Sequence, residues 1–160
     1  MPFCQIPSHL RYQIVRQVGE GSAAVYQART DEVGLPRIVA LKATTVGRAL
    51  QEARILASLQ HPGIPRFYDL VVDDPEAYVV MEYIEGETLT QYLDAYLAQG
   101  ALPPMQQVLS MGIQLCAVLD YLHMRQPPIT FRDVKPENVM LSADRDLFLI
   151  DFDIACTPSR

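Results

Sequence analysis

The stretch Phe131-Arg132-Asp133-Val134-Lys135-Pro136-Glu137-Asn138 constrains this chain more than any other. It sets a lysine two residues, and an asparagine five residues, after an aspartate. That pattern fits a loop holding a hydroxyl nucleophile, a phosphate and a metal ion. Leu147-Phe148-Leu149-Ile150 is a short apolar run that reads as a buried strand. Asp151 stands at the strand's C-terminal end, where a carboxylate can hold a cation, and opens the triplet Asp-Phe-Asp.

The first half of the chain reads as strands around a single helix. Residues 11–18, 38–42, 66–72 and 77–83 carry the branched and aromatic side chains of strands. Gly19 and Gly21 lie between the first of these and a strand-like run containing Val25. Two glycines there would let the backbone approach a phosphate closely, as well as make a plain hairpin turn. Lys42 ends the apolar run Ile38-Val39-Ala40-Leu41. A buried ammonium without an anion is strongly destabilising, so Lys42 calls for a carboxylate or a phosphate. Residues 49–60 have helical period, and Glu52 lies on that helix ten residues after Lys42. His61-Pro62-Gly63 ends it.

The second half reads as helices followed by the loop. Residues 88–98 form a short helix. Residues 105–123 form a long one with Val108, Leu109, Met111, Ile113, Leu115, Cys116, Val118, Leu119 and Leu122 spread over most of its surface. A helix apolar nearly all round is expected to be buried nearly all round.

Taken together these stretches resemble the protein kinase family, with its H-R-D-x-K-x-x-N loop and, eighteen residues after the first aspartate, D-F-G. Here Phe131 stands for the histidine and Asp153 for the glycine. Gly19 and Gly21 resemble the family's glycine-rich loop, in a form one residue shorter and with alanine for the third glycine. Ala40 and Lys42 resemble its V-A-I-K strand, and Met81-Glu82-Tyr83-Ile84 its hinge. The fold implied is α+β and protein-kinase-like. A complete β-rich N-lobe with one helix and the hinge would occupy residues 1–84, and an incomplete helical C-lobe residues 85–160. The family's activation segment and substrate-docking helices have no counterpart in this sequence.

The resemblance also assigns roles. Asp133 would orient the substrate hydroxyl and Lys135 would neutralise the transferring phosphoryl group, a residue choice favouring serine and threonine acceptors. Asn138 and Asp151 would hold magnesium. Gly19, Gly21, Val25, Ala40, Lys42, Glu52, Met81 and Met140 would surround ATP, with the Glu82 carbonyl and the Ile84 amide reading adenine. The implied function is ATP-Mg-dependent transfer of the γ-phosphoryl group to a protein hydroxyl, weak or absent in this chain alone. The alternative is a nucleotide-binding pseudokinase or interaction module, with a partner chain or oligomer covering its apolar helical face.

Composition bears on compartment and partners. A net charge of −6 argues against a nucleic-acid partner. Cys4, Cys116 and Cys156 lack metal-ligand spacing and read as free thiols of a reducing cytoplasm. No signal pattern opens the chain, and no uncharged apolar run reaches membrane-spanning length.

Overall fold

The computed structural model describes residues 11–20, 23–73 and 75–157. They group into two compact units. One comprises the chain up to Ala53 together with Phe67–Tyr83; the other comprises Arg54–Arg66 together with the chain from Ile84.

The first unit is an antiparallel sheet of five strands: β1 (Gln13–Glu20), β2 (Ala24–Arg29), β3 (Ile38–Thr45), β4 (Phe67–Asp73) and β5 (Glu76–Glu82). Their order is β1-β2-β3-β5-β4. This is the α+β sheet with one helix expected above, although β1 starts two residues later and β3 runs three residues longer. Helix α1 (Val46–Ala57) begins directly where β3 ends.

Strand register decides what each face carries, because side chains alternate and directly paired residues share a face. Tyr26 pairs with Leu41, Ala28 with Val39, and Leu41 with Val80. Ala28, Val39, Leu41 and Val80 form a buried cluster with Tyr12, extended by Tyr26, Leu35, Tyr68 and Val71. The opposite face carries Val25 paired with Lys42, Lys42 paired with Val79, and Ala40 paired with Met81.

The second unit holds a three-stranded sheet, β6 (Gly86–Thr88), β7 (Val139–Ser142) and β8 (Leu147–Leu149), with helices α2 (Leu89–Leu97) and α3 (Met105–His123). Only β8 was read as a strand from the sequence, because it lies in an unbroken apolar run; β6 and β7 were not. Helix α2 starts with a capping box: the Thr88 hydroxyl accepts from the Gln91 amide at 3.2 Å, and the Gln91 side chain accepts from the Thr88 amide at 2.8 Å.

Helix α3 corrects an expectation. Val118 and Leu122 are its only fully buried residues. Val108, Leu109 and Ile113 are exposed, Ile113 by 71%. β8 packs on one side of the helix, and no described residue covers the stripe through Met105, Leu109 and Ile113. Apolar periodicity shows which surface could be buried; it does not supply the element that buries it. No helix among the described residues is long and apolar enough to cross a membrane.

Gly86 is required by the β6–β7 pairing. A Cβ placed on it would lie 2.0 Å from the Leu141 carbonyl oxygen. Since the obstacle is backbone, Gly86→Ala is expected to destabilise the chain by about 1–3 kcal/mol, the range for overpacking. A urea midpoint unchanged from wild type would contradict the close approach.

Candidate active site

Lys42 and Glu52 form one candidate cluster, within the first unit. Lys42 lies in the middle of the sheet, since β2 and β5 flank β3, and it is 4% exposed. Glu52 is 1% exposed. The ammonium donates to Glu52 Oε1 at 3.0 Å and lies 2.9 Å from Oε2. Helical spacing explains the meeting: with no loop between β3 and α1, Glu52 falls on the turn that faces back over the strand. Val25, Ala40 and Met81 share the lysine's face of the sheet, and Gly19 pairs with Val25. Gly21 lies outside the described residues.

A second cluster lies in the other unit. Asp133, Lys135 and Asn138 converge within one short loop. Asn138 Nδ2 donates to the Asp133 carboxylate at 2.9 Å and to the Asp133 carbonyl at 3.0 Å. Lys135 Nζ lies 2.8 Å from the same carboxylate oxygen. A 3-10 turn, Pro136–Asn138, folds the chain back so that three residues spread over six positions meet. Asn138 is 5% exposed and its backbone carbonyl accepts from the Ile150 amide at 2.9 Å, which brings Asp151 beside it in the chain.

Two backbone conformations here were not legible in the sequence. Arg132 has φ 70° and Asp151 has φ 68°. Non-glycine residues rarely adopt positive φ, and such residues cluster at functional sites. The loop is also tied to the segment after Asp151: Thr130 and Cys156 exchange both backbone hydrogen bonds, at 2.8 and 3.0 Å. Neither residue type signals that pairing. Phe131 and Phe152, both buried, pack edge to face at 5.0 Å. Phe131 thus keeps an aromatic contact at a position where the resemblance has histidine.

The remaining candidates line strand ends. Glu82 closes β5 opposite Val39, Ile84 is buried just beyond, and Met140 sits on β7 between Thr88 and Phe148.

The loop's electrostatics favour an ionised aspartate. The Lys135 hydrogen bond, the largest influence, holds the Asp133 carboxyl below its ordinary value; desolvation opposes it, and the Asn138 hydrogen bond adds to it. Asp133 raises the Lys135 ammonium in turn, with the charges of Glu137 and Asp151 contributing.

These elements define an α+β fold of the protein-kinase type. The family model for the protein kinase domain matches residues 12–160. The chain is 36% identical over 155 residues to the serine/threonine-protein kinase PrkC of Bacillus subtilis, covering 91% of this chain and 23% of that protein. It is 35% identical over 165 residues to PknB of Mycobacterium leprae, covering 93% and 25%. It is 32% identical over 157 residues to cds1 of Schizosaccharomyces pombe, covering 90% and 33%. The chain belongs to the protein kinase family, as a domain of the bacterial serine/threonine type. It spans about a quarter to a third of the length of these relatives.

Two outcomes are expected from this geometry. Glu52→Gln removes the carboxylate paired with the buried Lys42 ammonium and should cost about 3–5 kcal/mol. Adding Lys42→Met to it should recover part of that loss, which a double-mutant cycle in urea would measure; strictly additive losses would mean that the two side chains do not interact. For Asp133, folding lowers the pKa, so any stability it contributes is present above the unfolded value and is lost as pH falls below it. Carboxyl-carbon NMR should give a midpoint below the ordinary aspartate value of about 3.9. A midpoint at or above that value would contradict the Lys135 pairing.

Proposed function

We propose that this chain binds ATP with magnesium and supplies the groups for transfer of the γ-phosphoryl to a serine or threonine hydroxyl of a protein. The observation that carries this reading is the closed cluster of Asp133, Lys135 and Asn138, with Asp151 joined to it through the Ile150 amide.

The donor set fits a hard cation. Asn138 spends its side-chain N–H groups on Asp133, and its Oδ1 accepts no hydrogen bond from the described residues. An amide oxygen and a carboxylate are ligands that magnesium prefers. Asn138 and Asp151 would therefore hold it, and Lys42, oriented by Glu52, would meet phosphate oxygens. Bound ATP-Mg supplies the activated phosphoryl group and neutralises part of its charge. Gly19 and Gly21 would bring backbone toward the phosphates. Val25, Ala40, Met81 and Met140 would enclose the base, and the Glu82 carbonyl and Ile84 amide would read it.

Asp133 would accept a hydrogen bond from the acceptor hydroxyl and aim it in line. Its depressed pKa suits orientation better than early proton removal, because a weakly basic carboxylate takes a hydroxyl proton only as the bond to phosphorus forms. Lys135 would place positive charge on the transferring group. Electrostatics and positioning of this kind supply most phosphoryl-transfer catalysis.

A second reading is favoured by one observation, the exposed stripe of α3 through Met105, Leu109 and Ile113. On that reading the chain is a nucleotide-binding module whose helical face is covered by a partner chain or a second copy. The readings separate by labelled phosphate transfer from γ-labelled ATP to a generic protein substrate, with Asp133→Asn as control. The kinase reading predicts transfer that the variant lowers by at least about a hundredfold, the usual contribution of a positioned acid–base group. ATP-linked thermal stabilisation without transfer would select the module. Equal transfer by both forms would remove Asp133 from its proposed role.

A further inference from the structure

Strand β1 is an edge of the five-stranded sheet and pairs with β2. Ile14 pairs with Ala28 of the buried cluster, so simple alternation would put Arg16 on that same buried face. The register shifts between Ile14 and Arg16 instead, and Arg16 pairs with Gln27. Gln27 in turn pairs with Ala40, and Ala40 with Met81. The bulge thus re-aims Arg16 onto the face that carries Val25, Ala40, Lys42 and Met81.

On that face the guanidinium holds two acceptors at once. Its Nε donates to Gln27 Oε1 at 2.8 Å, and its Nη2 donates to the Tyr83 hydroxyl at 3.2 Å. Gln27 is a neighbour on the next strand. Tyr83 follows directly on β5, and β2 and β3 lie between β1 and β5. Adjacent strands stand about 4.8 Å apart, so in a flat sheet β1 and β5 would be roughly 14 Å apart. The second bond therefore reaches across two strands, and it can close because a twisted sheet curls. A planar fork suits two acceptors in different directions; a lysine ammonium has no such geometry. The elements joined are the strand that carries Gly19 and the strand that ends at Glu82. All of these residues belong to the first unit.

We propose that Arg16 is a positioning residue: it straps the edge strand to the chain leaving β5 and so fixes the width of the face on which a base would lie between them. An edge strand is bonded along one side only, and the strap supplies the hold that a second neighbour would give. It acts at the base and not at the phosphates, so it serves adenosine and ATP alike. For the nucleotide the inference rests on the reading of Val25, Ala40 and Met81 given above; for the strand it does not.

The test uses the full 160-residue chain as wild type, Arg16→Met, Tyr83→Phe and the double variant. Arg16→Met keeps the aliphatic stem, and Tyr83→Phe removes only a hydroxyl, so all four should fold, which circular dichroism checks. Without nucleotide, hydrogen–deuterium exchange in β1, residues 13–20, should rise roughly fivefold in Tyr83→Phe, the factor that losing one hydrogen bond of about 1 kcal/mol implies. It should rise at least as much in Arg16→Met and no further in the double variant, because both changes break the same bond. Exchange in β4, the opposite edge, should stay as in wild type. Affinities for adenosine and for ATP with magnesium should fall together, by a similar factor. Unchanged β1 exchange in Tyr83→Phe would overturn the proposal, since the Gln27 bond alone would then hold the strand. A loss of ATP affinity that spares adenosine would also overturn it, by making Arg16 a phosphate contact. A wild-type chain that binds neither ligand would overturn the proposed function, and the strap would still be judged on the exchange alone.

Discussion

The rest of the structure depends on one buried ion pair. Lys42 and Glu52 are almost wholly removed from water, and a charge buried there needs an opposite charge beside it. Desolvating both is expensive, and an apolar pair of similar volume would be at least as stable. Their presence is better explained by what a rigidly held ammonium on the face of a sheet can do. It offers a fixed positive charge beside Val25, Ala40 and Met81, a surface that is otherwise apolar and suited to a flat base.

That pair dictates much of the surrounding construction. The ammonium must leave a central strand, so β3 is flanked on both sides. The carboxylate must come from a helix close behind it, so β3 and α1 are joined without a loop. In the second unit the same economy appears in the loop from Asp133 to Asn138, where one asparagine orients the aspartate with its nitrogen and leaves its oxygen without a hydrogen bond from the described residues.

Short-range chemistry was legible in the sequence. Lys42 needs an anion because of the apolar run it follows, and Glu52 follows at helical distance; Asp133, Lys135 and Asn138 announce themselves by spacing. The five-stranded sheet was legible for the same reason, since its strands are long enough to show a pattern. What escaped was set by tertiary structure. Tyr121 looks like any aromatic on a helix, yet its hydroxyl accepts from the Gln60 amide at 2.8 Å, which no local pattern records. Gly86 is needed because of where the Leu141 carbonyl falls, which no local pattern records. The positive φ of Asp151 and Arg132 is imposed by the loops that hold them. The apolar surface of α3 was read correctly as surface that could be buried, and wrongly as surface that is.

The central claim is that Asp151 and the groups around it bind ATP through magnesium. It is tested most directly by thermal unfolding of wild type and Asp151→Asn with ATP, in the presence and absence of magnesium. Asparagine tolerates the positive φ of this position, so the fold should survive the change. The account predicts that ATP with magnesium stabilises the wild type, by about 2.7 kcal/mol at a hundredfold excess over Kd, and that Asp151→Asn loses the magnesium-dependent part of that gain. No stabilisation of the wild type, or an equal magnesium-dependent gain in both proteins, would contradict it.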